Sequence, residues 1–127
     1  MFKITRAFSS FSVNDIQKAR EFYGQLLGIE TSTPMDQLQL NIDGNKIFIY
    51  GKPNHEPATF TVLNFPIDNI ERSVDELTAK GIKFIIYNEE NFKTDERGIF
   101  RMGGPLIAWF EDPAGNILSV LEESQTM

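Results

Sequence analysis

The sequence predicts an α+β fold in which a strand, a helix and about three further strands occur twice, as two tandem βαβββ modules. Their strands are expected to form a curved, mixed but largely antiparallel sheet with the helices outside. Three observations predict it. First, FSVNDIQKAREFYGQLLGIE (Phe11 to Glu30) and FPIDNIERSVDELTAKGIKF (Phe65 to Phe84) align as a diverged repeat, so that Phe11, Val13 and Ile16 match Phe65, Ile67 and Ile70. Second, apolar residues in both copies recur every three to four positions, as one buried helix face requires. Third, the stretches after each helix are short and apolar and are broken by turn residues, which is strand spacing and not helix spacing.

Taken in order, the first copy opens on the strand ending at Val13 and continues into a helix that buries Ile16, Ala19, Phe22, Tyr23, Leu26 and Leu27. Asn14 or Asp15 can accept from the unpaired amides of its first turn, and Gly28 suits the left-handed residue past its end. Strands are expected at Gln37 to Ile42 and Lys46 to Tyr50 around Asp43-Gly44-Asn45, because Asp-Gly tolerates the positive φ angles of a tight hairpin. GKPNHEP (Gly51 to Pro57) reads as a connection, since its prolines and glycine oppose both helix and central strand. In the second copy the helix carries Ile70, Val74 and Leu77, with Asp68 or Asn69 as its cap and Gly81 as its stop. Strands should follow at Lys83 to Tyr87, Gly98 to Met102, Leu106 to Phe110 and Ile117 to Glu122. Neither half buries enough surface alone, so residues 1–127 should form one domain, with modules at about 1–52 and 58–123 and a linker at about 51–57.

Composition narrows the function. The net charge of −6 opposes a nucleic-acid surface, which needs clustered Lys and Arg. A neutral or cationic small molecule is the easier partner for an acidic protein. No apolar run approaches a membrane span and MFKITRAFSS lacks a signal-peptide core, so a cytoplasmic protein without membrane attachment is expected. The absence of cysteine removes disulfides, thiolate metal sites and a Cys nucleophile.

The punctuation VNDIQKAREFYGQLLGI and FEDPAGNILSVLE, repeated strand-helix units between them, resembles the vicinal oxygen chelate superfamily of glyoxalase I, bleomycin-resistance proteins, fosfomycin-resistance enzymes and extradiol dioxygenases. The resemblance implies modules curled around a shared cavity, frequently within a homodimer. It also implies a divalent metal held by His, Glu or Gln side chains from four strands. The implied first ligand, five residues before the Val of V-x-D, falls on Phe8; its counterpart in the second copy falls on Val62. The implied closing Glu falls on Ser119, and Lys46 to Tyr50 offers no carboxylate or imidazole for the remaining one. Phenylalanine and valine cannot ligate a metal and a lone serine hydroxyl is a poor ligand, so no metal and no other cofactor is expected. The one histidine, His55, lies in the connecting loop beside Glu56.

Side-chain alternation describes what is left. If Phe11 and Val13 pack on the first helix, then Phe8, Ser10 and Ser12 face the opposite way. If Leu63, Phe65 and Ile67 pack on the second, then Val62, Asn64 and Pro66 do so, and Ser119 joins them with Ile117 and Leu121. Asp112 is expected to serve the DPAGN turn through its side chain. The candidate ligand-binding residues are therefore Phe8, Ser10, Val62, Asn64 and Ser119, with Tyr50 and Trp109 for stacking on a planar group and Arg101 for clamping an anion. Asn88 to Gly98 (NEENFKTDERG) is a charged segment of a length suited to a lid. The leading functional expectation is a small-molecule-binding protein of the bleomycin-resistance type, working on a planar or cationic organic molecule. The alternatives are a glyoxalase- or dioxygenase-like enzyme with displaced ligands or metal-independent acid–base chemistry, and a dimeric interaction protein whose cavity is filled.

Overall fold

The computed structural model describes residues 2–123, and the chain divides between Pro57 and Ala58 into two compact units. In the first, β1 (Ser9–Val13) leads into α1 (Ile16–Arg20), which continues as a wider π turn over Glu21–Leu26. The Asp15 carboxylate caps α1 by accepting from the Lys18 amide at 3.1 Å. In the π turn the Leu27 amide reaches back to the Phe22 carbonyl at 2.9 Å, one residue further than in an α-helix. Gly28, at φ 73°, then releases the chain.

Three strands complete this unit: β2 (Glu30–Ser32), β3 (Leu38–Ile42) and β4 (Asn45–Gly51). The β3–β4 turn has positive φ at both Asp43 and Gly44, as the Asp-Gly pair predicts. The sheet order is β1-β4-β3-β2, with β1 parallel to β4 and the other pairs antiparallel. Val13, Leu38, Leu40 and Ile49 lie on the helix side of this sheet, where Phe11 meets Tyr23 at 6.3 Å between rings, and all but Phe11 are buried.

The second unit repeats the plan. β5 (Thr61–Ile67) leads to α2 (Ile70–Ala79), capped by the Asn69 side chain on the Arg72 amide at 2.9 Å. A short hairpin of β6 (Asn88–Glu89) and β7 (Phe92–Lys93) comes next, then β8 (Ile99–Phe100), β9 (Leu106–Glu111) and β10 (Ile117–Glu122). The main sheet has the order β5-β10-β9-β8, again with the first strand parallel to the last. Ile99, Ala108, Phe110, Leu118 and Val120 are buried on its helix side with Ile70 and Val74 of α2. Glu122, on the same side, accepts from the Ile70 amide at 2.8 Å, so the closing strand satisfies one of the helix's unpaired N–H groups. Pro66, within β5 and opposite Leu121, brings no N–H to this edge of the sheet.

The α+β class holds, with one four-stranded main sheet and one main helical segment per unit. Three local expectations change. β2 is an added strand: Glu-Thr-Ser has no apolar alternation to announce it, and it forms because β3 offers it an edge. Residues 83–87 do not run as a strand. Only Phe84 bridges to Phe110, and Ile85 donates to the Trp109 carbonyl at 2.8 Å. The charged 88–98 segment, in which no hairpin was expected, contains the β6–β7 hairpin. Among the described residues no helix is long and apolar enough to cross a membrane.

Candidate functional site

Each sheet has one face on its helix and one turned away from it, called here the open face, and alternation distributes the residues between them. In the first unit Ser10, Ser12, Phe48, Tyr50, Gln39 and Asn41 share the open face. Phe48 and Tyr50 stack at 6.3 Å between ring centres, and Gln39 donates to Asn41 at 2.7 Å. Ser12 lies 2.6 Å from Nδ1 of His55. The connecting loop makes this possible, because Lys52 donates to the Val13 carbonyl and His55 to the Lys52 carbonyl, which folds the loop back beside β1. Phe8 precedes β1, is 62% exposed, and has the Lys46 ammonium 6.0 Å from its ring centre.

The open face of the second unit is aromatic. Trp109 is surrounded by Tyr87, Phe92 and Phe100 at 5.5, 5.3 and 6.0 Å between ring centres. Phe92 stacks on Phe100 at 4.9 Å and meets Tyr87 edge-on at 5.0 Å. The β6–β7 hairpin delivers Phe92 to this cluster. The register places Ser119 beside Trp109 on one side and Asn64 on the other, so three of the predicted residues form a row across β9, β10 and β5. Ser119 is fully buried and donates to Asn64 Oδ1 at 2.5 Å, while Asn64 is exposed.

A bulge alters the alternation in β5. Thr61 pairs with Ile117 and Leu63 with Leu118, leaving Val62 as the extra residue between them. Strict alternation would put Thr61 on the helix side with Leu63. The bulge instead puts it on the open face, where its hydroxyl oxygen accepts from the Trp109 indole N–H at 3.1 Å.

Acidic groups border the cluster. Glu111 lies on β9 two residues from Trp109 and on the same face, and Glu89 belongs to the hairpin. Burial pushes the Tyr87 hydroxyl above its ordinary pKa, and the Glu111 and Glu89 carboxylates push it the same way. The negative potential that resists ionising Tyr87 would attract a cation.

Arg101 lies apart from this row. It shares the parity of Ile99, on the helix side, and bonds Glu71 of α2 at 3.1 Å and Asp95 at 3.0 Å. Arg97 joins the network through Glu71 at 3.3 Å and Asp75 at 2.5 Å. Burial alone would raise the Asp95 carboxyl, but the Ile99 amide, the Arg101 guanidinium and the Arg97 amide outweigh it and hold its pKa below the ordinary value. Gly98, at φ 91°, closes this turn where a Cβ would come within 2.8 Å of Phe84 Cβ. Asp112 is buried and accepts from the Ala114 and Asn116 amides at 2.9 Å and from the Asn116 side chain at 3.0 Å, which is turn chemistry.

Ser10 and Tyr50 thus belong to the first unit's open face, and Asn64, Ser119 and Trp109 to the second's. Sequence reasoning did not find Thr61, Tyr87, Phe92 and Phe100. The signal for the last three was aromatic residues set in and beside an otherwise charged segment. Among the described residues no three of His, Asp and Glu lie close enough to hold a metal ion. At the positions the resemblance implies for metal ligands, Phe8 and Val62 carry no donor atom and the Ser119 hydroxyl donates to Asn64, so these three side chains do not fit a metal ion.

The model of the Glyoxalase/Bleomycin resistance protein/Dioxygenase superfamily matches residues 6–120. No curated protein matches the chain. Among solved structures, the genomically encoded fosfomycin resistance protein FosX of Listeria monocytogenes superposes with a TM-score of 0.70 at 14% identity, over 98% of either chain. A glyoxalase family protein from Enterococcus faecalis gives 0.66 at 20% identity, over 96% of this chain and all of that one. TnmS3, an antibiotic binding protein from a Streptomyces species, gives 0.64 at 19% identity, over 97% of this chain and all of that one.

Proposed function

The chain belongs to the Glyoxalase/Bleomycin resistance protein/Dioxygenase superfamily, and from that premise we propose that it is a small-molecule-binding protein for a planar, cationic organic compound, working without a catalytic metal. One observation carries the reading: Tyr87, Phe92, Phe100 and Trp109 form an aromatic cluster on the second unit's open face, with the Glu89 and Glu111 carboxylates bordering it. Aromatic faces bind flat rings by stacking and cations through their quadrupoles, and the carboxylates add direct attraction. The similarity to an antibiotic binding protein fits this reading. So do the side chains at positions 8, 62 and 119, which offer a divalent ion no adequate ligand set.

Trp109 is the sole tryptophan, so its fluorescence reports the site directly. Titration with acridinium and phenanthridinium dyes should quench it saturably and raise the melting temperature. Trp109→Leu should weaken binding by about tenfold or more, as loss of a stacking anchor does. Absence of any quenching or thermal shift across both dye classes would reject the reading. A stoichiometric divalent ion in the protein, measured by mass spectrometry, would reject its metal-free part.

A further inference from the structure

The hydrogen bonds of the aromatic site have a direction. Thr61 Oγ1 accepts from the Trp109 indole N–H, which uses an acceptor position of Thr61 and leaves its own O–H to donate. Ser119 spends its single proton on Asn64 Oδ1, which uses the carbonyl end of that amide and leaves Nδ2 with its two N–H donors. Neither the Thr61 hydroxyl hydrogen nor the Asn64 amide nitrogen has a partner among the described residues. Both belong to β5, at one edge of the sheet, and Asn64 is exposed. The acceptor-only group of the same face, Glu111, lies two strands away on β9, directly across Ile117 from Thr61. Donors thus stand at β5 and a carboxylate on β9, about 10 Å apart at two strand spacings, with the Trp109 indole reaching from β9 back to Thr61 and Phe100 of β8 on the far side of the carboxylate's strand.

We infer that this site selects aromatic ligands bearing a hydrogen-bond-accepting oxygen, an aryl ketone or quinone carbonyl, at the end opposite their cationic nitrogen. The inference rests on the binding reading above and adds the ligand's functional group and its orientation. An acceptor oxygen would receive the Asn64 N–H and Thr61 O–H. A ring carrying only C–H there would strip water from both donors and return nothing, and unmet donors penalise a ligand more than a made bond rewards one. A ligand with a hydroxyl donor in place of the carbonyl is disfavoured less, because the hydroxyl oxygen can also accept.

The test uses two ligands of one shape, an aminoalkyl anthraquinone and the matching aminoalkyl anthracene, with Trp109 quenching as the readout. The native protein should bind the quinone about tenfold tighter. Asn64→Asp keeps the Ser119 bond and the shape but replaces the free donors by an acceptor. The added charge can strengthen binding of both amines, so the ratio decides, and it should fall below about twofold. Thr61→Val should lower it independently, which keeps the test intact if the first variant does not fold. Equal binding of the two compounds by the native protein overturns the inference while sparing the binding reading. A tenfold ratio that survives in both variants overturns the assignment to Asn64 and Thr61. Binding of neither compound overturns both.

Discussion

The two units share a framework and differ in what they mount on it. Each has its first strand parallel to its last, a helix capped by an Asx side chain, and a Gly at positive φ after the helical segment. Yet the first open face is largely polar, with Ser10, the Ser12–His55 pair and the Gln39–Asn41 bond, and among the described residues its Phe48–Tyr50 stack gains no third ring. The second carries a cluster of four aromatic rings, one of them Phe92 of the β6–β7 hairpin, which stands between α2 and β8 where the first unit passes from Leu26 to Glu30 of β2 with no strand between. The lesson is that the repeated framework keeps where side chains point, whereas an inserted hairpin changes which side chains gather there.

If the frameworks are equivalent, the largest effects should be alike. Tyr23 and Phe110 are both fully buried, and Tyr23→Ala and Phe110→Ala should each cost about 3–5 kcal/mol in urea unfolding. A loss below about 1 kcal/mol for either would break the equivalence. The caps sharpen the comparison at a smaller scale: Asp15→Ala and Asn69→Ala each orphan one amide and should each cost about 1 kcal/mol. The smallest effect belongs to the second unit alone. Asp95 has its pKa lowered by folding, so its contribution is present above the unfolded carboxyl value near 3.9 and is lost as pH falls through the lower folded one. Asp95→Asn should cost at most about 1 kcal/mol at pH 7, because the ion pairs are partly exposed, and the difference from the native protein should shrink on acidification below about pH 4. A difference that is constant with pH would remove the carboxylate's charge from the account.

Much of this framework was legible because it rests on short-range chemistry. Asp15 and Asn69 cap their helices, Asp43-Gly44 turns the hairpin, Asp112 organises DPAGN, and the closing strand alternates around Ser119 as its sequence reads. What was not legible depends on partners distant in sequence. β2 forms on the free edge of β3, and the π turn shows itself in shifted backbone bonds such as Leu27 to Phe22, which apolar spacing does not announce. The bulge that brings Thr61 to Trp109 is invisible to a rule of strict alternation. Arg101 shows the same limit, for one of its two carboxylate partners, Glu71, lies on α2, thirty positions earlier.

Pro66 has a consequence for the protein while it is being made. Among the described residues β10 is the one neighbour of β5 in the sheet, and it follows β5 with α2 and four strands between, so an apolar strand containing Val62, Leu63 and Phe65 is made before its partner. A waiting strand of that composition is a template for other nascent chains. Pro66 removes one donor from that template and fixes its own φ, which shortens the ladder a stranger could build. Until β10 is made, Pro66 is the one position of β5 that offers no backbone donor.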